Sequence, residues 1–202
     1  LPRAKSILES ALEDCRKVFA DDHPELLVAI SNLGMLLDEM EEHQAASLLL
    51  KEALEGSQRA FPGGHRDLLS SMSNYGLHLS EVGELEAAEK LMRDVVVQIE
   101  EQEQEAVACT YQSNLGSILE DQGRLDEAER WMRKALYGSR HLLGEADPST
   151  LTFLFKLSRI LLELDRATDA LPLATELVQA TGPQDAAWQE RKDLLAKIES
   201  RI

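Results

Sequence analysis

Apolar residues fall on one helical face again and again along this chain, and the faces recur at a nearly fixed interval. Leu26, Ile30, Leu33, Leu37 and Met40 step by 4, 3, 4 and 3 residues, which places all five on one stripe of an amphipathic helix. Leu68, Met72, Tyr75, Leu79 and Val82 repeat the spacing. Val107, Tyr111, Leu115, Ile118 and Leu119 follow, then Leu154, Leu157, Leu161 and Leu164. Between these segments lies a second set: Ala46, Leu50, Ala53 and Leu54; Ala88, Leu91, Met92, Val95 and Val96; Ala128, Trp131, Met132, Ala135 and Leu136. No segment alternates as a half-buried strand does, so the pattern predicts an all-α fold of paired helices.

Two anchors fix the period. Leu33-Gly34, Tyr75-Gly76, Leu115-Gly116 and Leu157-Ser158 are spaced by 42, 40 and 42 residues, and Ala4, Ala46, Ala88, Ala128 and Ala170 by 42, 42, 40 and 42. A period of this length means stacked helical hairpins, none able to bury its apolar face alone. The expected organisation is one solenoid over residues 1–202. It comprises the second helix of a partial repeat (1–20), four repeats (22–61, 64–102, 104–143 and 147–181) and a capping helix (183–202). Opening on a second helix points to a parent chain that continues upstream. The last helix is expected over Gln184 to Ile202, with Trp188, Leu194, Leu195 and Ile198 on its packed side.

Glycine inside a helix costs about 1 kcal/mol relative to alanine. Gly34, Gly76 and Gly116 in register therefore predict close approach of the paired helix, with Ala46, Ala88 and Ala128 facing them and Ser158 and Ala170 in the same parts of the fourth repeat. Gly83 and Gly123 mark turns inside hairpins. Phe19-Ala-Asp-Asp-His23, Phe61-Pro-Gly-Gly-His65 and Leu143-Gly-Glu-Ala-Asp147 mark the entries to repeats, where His23 and His65 read as capping residues and Pro24 and Pro148 suit a first helical turn. Glu100 to Glu105 contains neither Gly nor Pro and predicts a tight or continuously helical connection.

Composition narrows the partners. The 21 basic and 37 acidic residues give a net charge of −16, unsuited to nucleic acid or to an anionic membrane surface and favourable for a basic partner. No apolar run approaches the ~18 residues that span a bilayer. Cys15 and Cys109 lie far apart on apolar stripes and read as reduced thiols. That places the chain in the cytoplasm, or in an organelle after loss of a leader.

Asn32-Leu-Gly34, Asn114-Leu-Gly116, Gln122-Gly-Arg-Leu-Asp-Glu-Ala-Glu129 and His23-Pro24 resemble tetratricopeptide repeats, in particular the 42-residue, long-helix repeats of kinesin light chains. Gly144-Glu-Ala-Asp-Pro148 fits the same entry motif with Asp147 in place of His, and Pro172 falls where that family tolerates proline. The resemblance covers Ala4 to about Thr181. It implies a right-handed superhelix of hairpins that holds a linear peptide or a helix in its concave groove, lined by the first helix of each repeat.

The stripe that would line such a groove runs Val28-Asn32-Met35-Glu39, Ser70-Asn74-Leu77-Glu81, Thr110-Asn114-Ser117-Asp121 and Thr152-Lys156-Arg159-Glu163. Asn32, Asn74 and Asn114 are poor mid-helix residues. They either grip the backbone of a bound peptide or bond to the neighbouring repeat. Glu39, Glu81, Asp121 and Glu163 form either a solvated rim or an attractive track for Lys and Arg. Lys156 and Arg159 either clamp an acidic group or pair with Glu163 or Asp121. The five histidines show neither metal-binding spacing nor an evident carboxylate partner, and Gly63-Gly64 is a turn rather than a phosphate loop. The expectation is a non-catalytic interaction scaffold for a protein or peptide, without cofactor or metal. The alternatives are a structural subunit of a large assembly and a regulatory array of a longer chain.

Overall fold

The computed structural model describes residues 1–102, 105–182 and 184–202, with the side chains of 105 and 106 excepted. Among the described residues there are ten α-helices and no strand. They are α1 (Pro2–Val18), α2 (Pro24–Glu39), α3 (His43–Ala60), α4 (Arg66–Glu81), α5 (Leu85–Glu101), α6 (Glu105–Asp121), α7 (Leu125–Leu142), α8 (Pro148–Glu163), α9 (Ala167–Ala180) and α10 (Trp188–Glu199). They form two compact units, Leu1–Gln102 and Glu103–Ile202. In each unit consecutive helices pack as antiparallel hairpins stacked in chain order, and α2 also meets α4, α6 meets α8, and α8 meets α10. The expected connection over Glu100 to Glu105 includes residues 103 and 104, which lie outside the described residues.

The hairpins that start at α2, α4 and α8 begin at a cap written in the sequence. His23 Nδ1 accepts the Glu25 N–H at 3.3 Å, and His65 Nδ1 accepts that of Asp67 at 3.2 Å. Asp147 Oδ1 does the same for Ser149 at 2.8 Å. These bonds satisfy N–H groups that have no intrahelical partner in the first turn. The rings of Phe19 and Phe61 stack on His23 and His65 at centroid distances of 4.2 and 4.3 Å, which holds both imidazoles in place. The turns inside the hairpins share one geometry. Gly83 and Gly123 are left-handed at φ 83° and 73°, and Glu41 and Asp165 adopt the same conformation at φ 60° and 58°. The residue after each returns its N–H to the carbonyl of Leu37, Leu79, Leu119 or Leu161, closing the C-terminus of the first helix.

Burial follows the predicted stripes and exceeds them. Leu26, Ile30, Leu33 and Leu37 are buried together with Ala46 and Ala53, and so are Leu154, Leu157 and Leu161 with Ala170 and Ala174. Leu27, Leu69, Phe153, Ile160 and Leu162, on the other flank of the first helices, are buried as well. Leu27 lies against Gly56 of α3, within its own hairpin. Between hairpins small polar groups pair: Ser57 Oγ and Ser71 Oγ, on α3 and α4, lie 2.8 Å apart.

The ends depart from expectation. Ala4, Ile7 and Ala11 of α1 are exposed, Ile7 by 59%, because α1 seats Leu8, Leu12, Cys15 and Phe19 rather than the whole stripe. Helix α10 starts at Trp188, not at Gln184. The Asp185 carboxylate accepts the Ala187 N–H at 2.8 Å and pairs with Arg191 at 2.7 Å, which makes residues 184–187 a turn. Leu194 and Ile198 are the buried residues of that helix.

The in-register glycines do not share one reason. A Cβ at Gly34 would stand 2.8 Å from Leu50 Cγ, so the obstacle is Leu50 rather than Ala46. At Gly116 it would meet the Ala128 carbonyl oxygen at 3.4 Å and Met132 Cε at 3.2 Å. At Gly76 the nearest atom, Met92 Cε, is 3.6 Å away, so an alanine fits there without strain. Ser158 keeps its hydroxyl within its own helix, donating to the Leu154 carbonyl at 2.8 Å. Gly76→Ala is expected to raise stability by about 0.5–1 kcal/mol through helix propensity and a less flexible unfolded chain. Gly34→Ala is expected to lower it by about 1–3 kcal/mol through overpacking. Urea titrations of both variants check the contrast, which fails if the two shift in the same direction.

Candidate functional site

In the first unit the stripe residues of α2 and α4 come together. Val28, Asn32, Ser70 and Asn74 line a small cleft open to solvent, with Phe61 and Ser31 also in its lining. The two asparagines differ within it. Asn74 is half-buried and donates from Nδ2 to Ser31 Oγ at 3.2 Å, tying α4 to α2, while Asn32 is exposed. One cleft thus contains an amide committed to the fold and an amide facing solvent. Val28, 51% exposed, adds an apolar contact beside them.

In the second unit the cations sit on α8 against α6. Lys156 Nζ donates to Ser117 Oγ at 2.8 Å. Arg159 pairs with Glu120 at 2.7 Å, and not with Glu163 or Asp121 as the sequence suggests. The reason is burial. The Glu120 side chain is 8% exposed and its Oε2 finds no hydrogen-bond partner among the described residues, so it is the carboxylate most in need of a cation. Burial raises the Glu120 pKa, and the Arg159 charge offsets that only in part. Burial likewise lowers the Lys156 pKa, against the pull of Glu120 and Asp121. Asn114, on the same helix as Ser117, is half-buried.

Glu39, Glu81, Asp121 and Glu163 are the last residues of α2, α4, α6 and α8, and all four are exposed. A carboxylate at a helix C-terminus meets the negative end of the macrodipole, at a cost of about 0.3–1 kcal/mol. Glu39, Glu81 and Glu163 form no ion pair among the described residues to offset it.

One polar cluster escapes sequence reading. Asp38 Oδ1 lies 2.8 Å from His43 Nδ1 and 2.9 Å from His78 Nδ1, so two histidines do have a carboxylate partner. His43 lies five residues beyond Asp38 across a turn, and His78 arrives from α4 only because the hairpins stack. The spacing in the chain carried no metal-like signal; an acidic residue at the end of one helix and a histidine opening the next was the single local hint.

The tetratricopeptide repeat model matches residues 1–59 and 107–180. The chain belongs to the tetratricopeptide repeat family. No curated protein matches it in sequence. Among solved structures, this tetratricopeptide repeat chain is similar to a Podosopora anserina protein assigned as a kinesin light chain with nearly identical TPR-like repeats. Their TM-score is 0.74 at 18% identity, covering 94% of this chain and 88% of that one. It is similar to BtubC (BKLC) from P. vanneervenii, with a TM-score of 0.78 at 17% identity, covering 100% and 87%. Bacillus thuringiensis PlcR, in complex with the peptide PapR7 and DNA, aligns with a TM-score of 0.72 at 15% identity, covering 100% and 69%. At these identities the likeness is one of fold alone. The tetratricopeptide repeat solenoid is a non-catalytic scaffold suited to protein and peptide binding. None of the described helices is long and apolar enough to cross a membrane.

Glu120 supplies a pH test. Its folded pKa lies above the ordinary 4.5, so the cost of burying the anion is present in full at neutral pH. As pH falls through the folded value toward the unfolded one, that cost is relieved. Glu120→Gln mimics the protonated acid. It should therefore be at least as stable as wild type at pH 7, and the wild type should gain on it steadily as pH falls toward 4.5. Paired urea melts across that range check the sign; a wild type that loses ground on acidification contradicts the assignment.

Proposed function

We propose that this chain is an adaptor that holds an extended peptide or a helix along the faces of its first helices. What carries the reading is the cleft between α2 and α4, whose lining includes Val28, Asn32, Ser70 and Asn74 at successive turns of two adjacent helices. Asn32 supplies an amide able to donate to and accept from a peptide backbone, Val28 an apolar contact, and Asn74 a wall already fixed by Ser31. In the second unit Asn114, Lys156 and Arg159 occupy the corresponding stripe, where the half-exposed Arg159, already paired with Glu120, can share its guanidinium with an acidic or C-terminal group of the ligand.

Charge gives the ligand its sign. Glu39, Glu81, Asp121 and Glu163 sit where a carboxylate weakens its own helix, and the chain as a whole carries −16. A ligand bearing Lys or Arg compensates both. PlcR, whose fold this chain shares, is in complex with a peptide, which accords with this reading. Its DNA does not carry over, since a net charge of −16 opposes phosphate binding.

A second reading, a subunit set within a larger assembly, is favoured by apolar side chains on the outer faces of second helices. Leu48 of α3, Val97 of α5 and Tyr137 of α7 are 70%, 55% and 78% exposed.

Fluorescence anisotropy with a panel of basic, neutral and acidic peptides separates the two readings. Basic peptides should bind best and weaken as salt rises from ~0.05 to 0.5 M, because exposed charges are screened beyond about 8–10 Å. Asn32→Ala should weaken binding about five- to tenfold with an unchanged melting temperature. Asn74→Ala should weaken binding and also cost about 1 kcal/mol of stability, through loss of the bond to Ser31. A footprint confined to the second helices would transfer the function to the assembly reading.

A further inference from the structure

Asp38, His43 and His78 converge from three helices of the first unit. Asp38 lies in the last turn of α2, His43 is the first residue of α3, and His78 lies in the last turn of α4. The ligand-capable atoms, Asp38 Oδ1, His43 Nδ1 and His78 Nδ1, all lie within 4.8 Å of one another. Both imidazoles present the same nitrogen to one carboxylate oxygen, at 2.8 and 2.9 Å. The cluster is largely shielded: the side chains of His78 and Asp38 are 1% and 11% exposed, that of His43 38%.

We infer that these three residues form a zinc-class divalent metal site that clasps the α2–α3 hairpin to α4. Two imidazole nitrogens and one carboxylate oxygen suit a borderline transition ion, rather than calcium or magnesium, which take oxygen sets. Tetrahedral zinc at about 2.0–2.1 Å from each ligand places the ligand atoms roughly 3.3 Å apart. The two nitrogen–oxygen distances therefore open by about half an ångström on binding. His43 supplies that movement, being half-exposed at the start of its helix, while buried His78 and Asp38 form the fixed half of the site. Each neutral imidazole moves its proton to Nε2 and offers the Nδ1 lone pair, so the ligand set needs no charged histidine.

The local field favours a cation. Asp38 stands at the C-terminus of α2, the negative end of its macrodipole. The same turn carries Glu39, Glu41 and Glu42, of which Glu42 is paired with Lys5 at 2.7 Å. The three protein ligands leave a fourth position toward the exposed side, at His43, for water. The other histidines are not part of this constellation. His23 and His65 are engaged as helix caps through Nδ1.

The test uses the full chain without an affinity tag, stripped with a chelator and titrated with Zn²⁺ by calorimetry and with Co²⁺ by visible absorption. The expected result is one ion per chain, a tetrahedral Co²⁺ spectrum and a melting temperature that rises with metal concentration. His43→Ala is expected to weaken binding at least tenfold while leaving the metal-free melting temperature near wild type. The triple variant His23→Asn/His65→Asn/His141→Ala, in which asparagine keeps both helix caps, is expected to bind as wild type does. His78→Gln is a stricter variant at a buried position, and the half-exposed His43 keeps the result interpretable if His78→Gln does not fold. Absence of 1:1 binding overturns the site, and so does binding that survives His43→Ala unchanged or is lost in the triple variant.

Discussion

The constraint on which everything else rests is that the first helix of each hairpin is apolar on two flanks. Leu26 and Leu27, Leu68 and Leu69, or Leu161 and Leu162 are neighbours in sequence, pointing to different sides of one helix, and both members of each pair are buried. An isolated hairpin covers one flank and leaves the other in water, at about 1.5–3 kcal/mol for each large side chain. A neighbouring hairpin is therefore a condition of folding rather than an ornament, and the stack follows. With two flanks consumed, the side of the first helix left to solvent is the stripe holding Val28, Asn32 and Ser70, and the binding surface is what packing leaves over.

That remaining surface is chemically uneven because burial varies along it. Arg159 and Glu120 meet within ion-pairing distance, yet the carboxylate is held toward its neutral form, since removal from water outweighs the nearby cation. One position further on, Asp121 is exposed at the helix end. Two adjacent acids thus behave differently. The inner one belongs to the interface between helices and the outer one to the field felt by a ligand.

Much of this was legible before any coordinates. Periodicity and in-register small residues gave the hairpins and their order, and the Phe-x-x-x-His entries gave the caps, because those features are local and depend on a few residues at fixed spacing. What escaped depends on stacking. His78 meets Asp38 across 40 residues, and no spacing rule reaches that far. Glu120 and Asp121 look alike in sequence, but they stand one helical step apart, and the packing of α8 against α6 places Glu120 beside Arg159 and leaves Asp121 exposed. The glycines misled for a related reason. Gly34 and Gly76 hold the same repeat position, but one faces the branch of Leu50 and the other the flexible end of Met92. Left-handed Glu41 and Asp165 were invisible because the turn, not the residue, demands that conformation, and glycine satisfies it in the other two hairpins.

The ion pairs between neighbouring second helices carry a consequence for assembly order. In the first unit Lys5 of α1 pairs with Glu42, ahead of α3; in the second, Glu129 of α7 pairs with Arg166, ahead of α9. These are the same two repeat positions with the signs exchanged. Suppose that during synthesis, or between two chains, the α3 hairpin docked on α7 instead of α1. Glu42 would then confront Glu129, and the complementary error would set Lys5 against Arg166. That attraction would become a repulsion, while the second pair between the same helices, Arg16–Glu52 in the first unit and Arg140–Glu176 in the second, keeps its polarity and would survive the exchange. The hydrophobic repeat makes its hairpins nearly interchangeable, and the reversed polarity of a single ion pair distinguishes which neighbour each was made for.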